Sequence, residues 1–188
     1  MPPFRRIFPL LLIAIGLAAA CSDNNDFGDP TEFNVLDTVT LGALEGTSIA
    51  TPSGYNIAVG ALRTDQSVDF EFAYNIRRLE DGSYQRVFLP RAALGLSGSN
   101  ANPGLQRRNE AFDAITRAPS NGYVSDSAVP VQVGERYLVR SRVICGNLGV
   151  PLYGKLEILS FQDSMVTFQT LVNQNCGYKD LLPGLPKN

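Results

Sequence analysis

Histidine and tryptophan are absent from the 188 residues, and lysine and cysteine each occur only three times. Without histidine there is no Ser-His-Asp or Cys-His catalysis, no HExxH zinc site and little prospect of a transition-metal centre. The stretch Gly95-Leu-Ser97-Gly-Ser99 comes close to G-x-S-x-G, but Ser99 stands where the second glycine belongs. It lies among turn residues and has no base to activate a nucleophile, so it reads as a surface loop. Lys155, Lys179 and Lys187 form no Ser-x-x-Lys pattern, and no phosphate-binding glycine loop is present. Carboxylate chemistry needs no histidine. The nearest pair, Asp69 and Glu71, falls on the polar side of an alternating segment and reads as a solvated strand face. The sequence therefore points to a non-enzymatic protein with no metal and no cofactor.

What is present begins with an export signal. Arg5 and Arg6 precede the apolar run Ile7 to Leu17, which Pro9 interrupts, and Ala18-Ala19-Ala20 leads into Cys21. The run is too short for a permanent span and reads as a cleaved leader. Two cleavage patterns fit. Ala18-x-Ala20 suits an ordinary signal peptidase, whereas Leu17-Ala-Ala-Ala-Cys21 resembles the lipobox of bacterial lipoproteins, with Ala18 where that family more often has leucine. The cysteine count favours the second. If Cys21 carries lipid, Cys145 and Cys176 remain as a pair for a disulfide in an oxidising compartment. The resemblance implies an envelope protein facing the periplasm. Ser22, rather than Asp, after the cysteine implies the outer membrane, with the periplasmic face of the inner membrane as the alternative.

Residues 1–20 are thus the expected signal peptide, 21–33 a lipidated N-terminus and flexible tether, and 34–188 the folded domain. With Arg5 and Arg6 removed, 14 basic residues face all 18 acidic ones, a balance of −4 that gives no electrostatic case for nucleic acid. The acidic segment Ser22 to Thr31 fails as a calcium loop. Counted from Asp23, its fifth position is Phe27, where an oxygen ligand is needed, and its twelfth is Asn34, where a glutamate is needed.

Val68, Phe70, Phe72, Tyr74 and Ile76 alternate with polar or small residues, and Asp81-Gly82 then signals a hairpin into Tyr84–Leu89. Further strands are expected over 35–44, 55–62, 128–133, 136–144, 152–161 and 165–173, with Asp163-Ser164 turning the last pair. Residues 90–104 read as a loop. Leu105, Asn109, Phe112 and Ile115 recur at helical spacing before Pro119 and predict one helix. The fold class is an antiparallel β-sandwich. Gly134-Glu-Arg-Tyr137 ahead of Cys145 resembles the tyrosine corner of immunoglobulin-like sandwiches.

Alternation along the strand ending in Cys145 places Arg136, Arg140 and Arg142 on one face with Leu138 and Ile144, and Tyr137, Val139 and Ser141 on the other. The second set reads as core and the arginines as a surface for a protein partner. Arg107 and Arg108 on the predicted helix would add to it. The apolar tail Leu181–Pro186 either packs back on the sandwich or reaches a partner. Phe112-Asp-Ala-Ile-Thr, Ala118-Pro, Gly122-Tyr123, Gly134, Asn175-Cys-Gly-Tyr178 and Pro183-Gly-Leu-Pro186 resemble the C-terminal part of a group of uncharacterised bacterial lipoproteins.

Three functions follow from this reading. The first is a lipid-anchored, membrane-extrinsic accessory subunit docked on an energy-converting or transport complex. The second is an envelope carbohydrate- or ligand-binding lipoprotein, with Tyr55, Tyr84 and Tyr123 as exposed aromatics. The third is a carboxylate-based hydrolase.

Overall fold

The computed structural model describes residues 27–98 and 102–187. The leader, Cys21 and Ser99 lie outside the described residues. Ten strands follow in order: β1 (Val35–Gly42), β2 (Gly54–Asn56), β3 (Gly60–Leu62), β4 (Phe72–Arg78), β5 (Tyr84–Pro90), β6 (Gly104–Arg108), β7 (Val129–Pro130), β8 (Arg136–Val143), β9 (Pro151–Gln162) and β10 (Met165–Asn173). They form two five-stranded antiparallel sheets. The first has the order β1-β10-β9-β8-β6 and the second β3-β2-β4-β5-β7. The fold is mainly β and sandwich-like, as the alternating pattern predicts.

Aromatic side chains fill the space between the sheets. Phe72 on β4 lies 4.3 Å from Phe88 on β5 and 5.2 Å from Tyr55 on β2, measured between ring centroids, and Phe168 on β10 closes the cluster 5.4 Å from Tyr55. Tilted and edge-on rings such as these each add to the area they bury. Tyr55 is therefore core, not an exposed ligand-binding aromatic. Its hydroxyl meets Thr170 Oγ1 at 3.1 Å. Tyr137 lies in the same layer, and its hydroxyl donates to the Pro130 carbonyl at 2.7 Å, seven residues upstream.

The first sheet is covered on its other side as well. Phe112, Ile115, Ala118 and Leu181 pack on Leu138, Tyr153 and Leu171 to make a second, smaller core. The predicted helix is replaced by β6 and a 3-10 turn over Phe112–Ala114. Its apolar residues serve different layers. Leu105 enters the space between the sheets, whereas Phe112 and Ile115 cover the outer face. One helical stripe cannot point into both. Gly104 permits the close approach of the following loop, since a Cβ there would come within 2.8 Å of the Val124 carbonyl oxygen.

The first and last described segments meet. β1 pairs with β10, and Asn34 and Gly184 exchange two backbone hydrogen bonds of 2.8 and 3.0 Å. The tail thus packs back on the sandwich, with Leu181 fully buried. The N-terminal segment is held too. The Tyr178 hydroxyl donates to the Gly28 carbonyl, and the Thr31 and Glu32 amides donate to Asn175 Oδ1 at 2.8 and 3.0 Å. Residues 27–33, expected as part of a tether, are docked on the domain. Gly177 adopts φ 78°, and a Cβ there would meet the Phe27 ring at 2.7 Å.

Cys145 and Cys176 form a disulfide, with Cα atoms 5.7 Å apart and a sequence separation of 31. It joins the end of β8 to the segment after β10. A loop of this size contributes about 3–4 kcal/mol in the chain-entropy picture. Replacing both cysteines with serine is expected to lower unfolding free energy in urea by that amount. Reduction of the native protein should reproduce most of the loss.

Candidate functional site

The three arginines start from one strand but reach three different surroundings. Arg136 points to the outer face of the first sheet, where its Nε donates to Glu157 at 2.8 Å across the β8–β9 register. Glu157 also accepts from Gln169 Nε2 at 2.6 Å, so a polar ladder crosses β8, β9 and β10. The ladder lies in a cleft of about 430 Å³ whose other walls include Leu36, Phe112, Asp113, Lys155 and Pro183.

Arg140 is used internally. Its guanidinium stacks 4.9 Å from the Tyr123 ring centroid and donates to the carbonyls of Ser120 and Asn102, both at 3.1 Å. Tyr123 is half-buried by this contact and by Tyr153. Arg142 leaves the expected face altogether. A register shift between Arg140 and Val143 breaks the alternation of β8, and Arg142 forms an ion pair with Asp69 of the opposite sheet's chain segment. The covering segment therefore separates Arg136 from Arg140, and the bulge removes Arg142. They do not form one continuous exposed surface. Arg107 and Arg108 stand on β6, paired with Glu135 and Glu110.

Lys155 forms part of the cleft floor and is almost fully buried. Its Nζ donates to the carbonyls of Phe112 and Ile115, both at 2.9 Å, and lies 4.5 Å from the Phe112 ring centroid. Burial pushes its pKa below the ordinary lysine value, and Asp113 and Asp180 act the other way. This ammonium pins the covering turn to the sheet by donating to the Ile115 carbonyl and by adding a second donor to the Phe112 carbonyl, which the Ile115 amide also reaches. Sequence reasoning missed it, because a lone lysine in a strand gives no local signal of what will cover it.

Glu71 departs most from expectation. The chain bends there, just before β4 begins, so the regular alternation from Val68 does not extend through it. Phe70 abuts Gly54, whereas Glu71 is 1% exposed and accepts from the Ile57 amide at 2.6 Å. Its Oε1 has no hydrogen-bond partner among the described residues. Burial raises its pKa from 4.5 to about 7, against the Ile57 hydrogen bond and the nearby Arg142 and Arg91 charges. Asp69 is exposed and held below the ordinary carboxylate range, chiefly by its bond from Arg142. The two carboxylates do not share one solvated face.

The disulfide cysteines lie together as described, and Cys21 lies outside the described residues. Gly95 caps the short turn Arg91–Leu94 in a left-handed conformation, as part of the loop the sequence predicts. Of the three tyrosines considered for ligand binding, only Tyr84 is freely exposed, at 73%. Comparison of the chain with protein-family models, curated proteins and solved structures finds no match.

A pH dependence follows from Glu71. A carboxyl whose pKa is raised on folding stabilises the protein below its unfolded value, and that contribution is lost as pH rises through the folded value. Glu71→Gln keeps an acceptor for Ile57 and removes the ionisation. It is expected to raise stability by about 1–3 kcal/mol at pH 8 and by little at pH 4.5. Urea midpoints across this range check the prediction, and an unchanged slope would contradict it. Separately, Lys155→Met should cost about 1–3 kcal/mol by removing both bonds to the covering turn and leaving the Ile115 carbonyl without the ammonium. Faster amide exchange in residues 112–118 would be its local signature.

Proposed function

We propose that the protein is a lipid-anchored, periplasm-facing accessory subunit that docks, without catalysis, on a membrane protein assembly of the energy-converting or transport kind. The lipid on Cys21 supplies attachment, and the outer membrane is the favoured location. The observation that carries the docking reading is the cleft on the first sheet. There the Arg136–Glu157–Gln169 ladder lies open beside the exposed Leu36. A directed polar set flanked by apolar surface suits a protein partner, which can satisfy the guanidinium's remaining donors while covering the leucine.

Metabolic labelling with palmitate is expected to mark the wild type and not Cys21→Ala. Extraction in mild detergent followed by native purification should yield a stable complex, and Arg136→Glu should lower partner recovery at least about tenfold, a loss of about 1.4 kcal/mol or more. A protein that always purifies alone contradicts the docking reading.

A second reading, an envelope carbohydrate ligand, has its own support. The exposed Tyr84 borders a cleft of about 400 Å³ with Gln85, Arg86 and Gln132. An aromatic beside amide and guanidinium donors suits a sugar ring. Binding in a glycan screen that Tyr84→Ala abolishes would favour it.

A further inference from the structure

We infer that the end of the sandwich around Phe33, Val35, Val59, Leu182 and Leu185 is the surface that rests on the bilayer. All five side chains are exposed, from 43% at Leu182 to 74% at Val59. They are gathered by specific contacts. Asn34 holds Phe33 and Val35 beside the tail through its backbone bridge to Gly184 and its side-chain bond to the Leu182 carbonyl. Phe33, Val35 and Val59 line one groove of about 350 Å³. Leu36 turns to the other side of β1, into the docking cleft, and is not part of this surface. The result is an apolar collar at the start of an edge strand.

The position of the anchor says what covers this collar, and here the inference rests on lipidation of Cys21. Phe27 is docked at Gly177, and the backbone from Gly28 to Asn34 is bonded to residues 175–184. Cys21 lies six residues before Phe27. Six residues reach at most about 20 Å even when fully extended. A lipid on Cys21 therefore keeps Phe27 within that distance of the membrane, and the collar begins with Phe33, six residues further along the same docked segment. Nearby charges are mixed, with Asp29, Glu32 and Asp37 set against Lys179 and Lys187. Apolar contact with the interfacial layer, rather than attraction to anionic headgroups, then drives the approach.

The absence of tryptophan offers a clean test. Phe33→Trp, Val59→Trp and, as control, Tyr84→Trp each give the full lipidated chain a single indole. Tyr84 pairs with Arg78 at the end of β4 away from Phe72, and borders a cleft with Phe161 and Val133. It therefore marks the opposite end of the sandwich. Each variant is placed on phosphatidylcholine vesicles carrying brominated acyl chains. The collar indoles are expected to be quenched about twofold or more over the control, most strongly by bromines about 5–10 Å into the layer, and equally with anionic lipid added.

Vesicle-bound protein with collar and control indoles equally unquenched overturns the inference while leaving anchoring intact. Protein that fails to stay on the vesicles overturns both. Collar indoles that are unquenched in pure lipid but shielded in native membranes assign the surface to a protein partner, and also overturn it. Near-identical thermal unfolding of the three variants establishes that the comparison is between folded proteins.

Discussion

Three buried asparagines and one aspartate tie the first and last described segments together, and the rest of the architecture depends on that knot. Asn175 accepts from the Thr31 and Glu32 amides and donates to the Glu32 carbonyl and to Asn173. Asn173 donates to the Asp180 carbonyl, which Asn34 also reaches. The Asp180 carboxylate accepts from the Leu182 and Lys187 amides. Each bond contributes modestly by itself, but a buried polar group left without a partner is costly. The set therefore holds as a unit. It seats β1 against β10, brings Leu181 over the outer face of the first sheet and sets where the N-terminal segment leaves the domain.

With the tail and the 111–123 segment in place, the first sheet has apolar layers on both sides. That changes what its polar residues can do. Leu138, outward-facing by alternation, becomes core, and Lys155 becomes a fastening for the cover. Arg140 stacks on Tyr123 at the cover's edge. At Arg136, beside the covering turn rather than beneath it, the ladder lies open. The candidate docking cleft is what the second core leaves uncovered.

Much of the sandwich was legible because its longest strands announce themselves. β8, β9 and β10 are rich in aliphatic, β-branched and aromatic residues, and the turns at Asp81-Gly82 and Asp163-Ser164 use residues suited to positive φ, found at Gly82 and Asp163. Periodicity misled where one sequence run served two layers, as from Leu105 to Ile115. Residues 55–62 were read as one strand, but the chain turns back within them to pair β2 with β3. The candidate site was less legible still. The strand pattern correctly sent Arg136 outward, yet the bulge that redirects Arg142 has no signal in the alternation itself. Nor does a period of two reveal that a distant segment will cover the supposedly wet face. Glu71 illustrates the same limit, because its burial depends on a bend at the strand's entrance and on a neighbouring sheet.

Residues 28–34 are clasped to the domain, so that a lipid on Cys21, as proposed, would share one end of the molecule with the apolar collar. Residue-resolved amide exchange on the detergent-solubilised protein tests it most directly. The account predicts that the Thr31, Glu32 and Asn34 amides are strongly protected, and that Asn175→Ala releases the first two while leaving β9 protected. Thr31 and Glu32 amides exchanging at free-peptide rates in the wild type would contradict it.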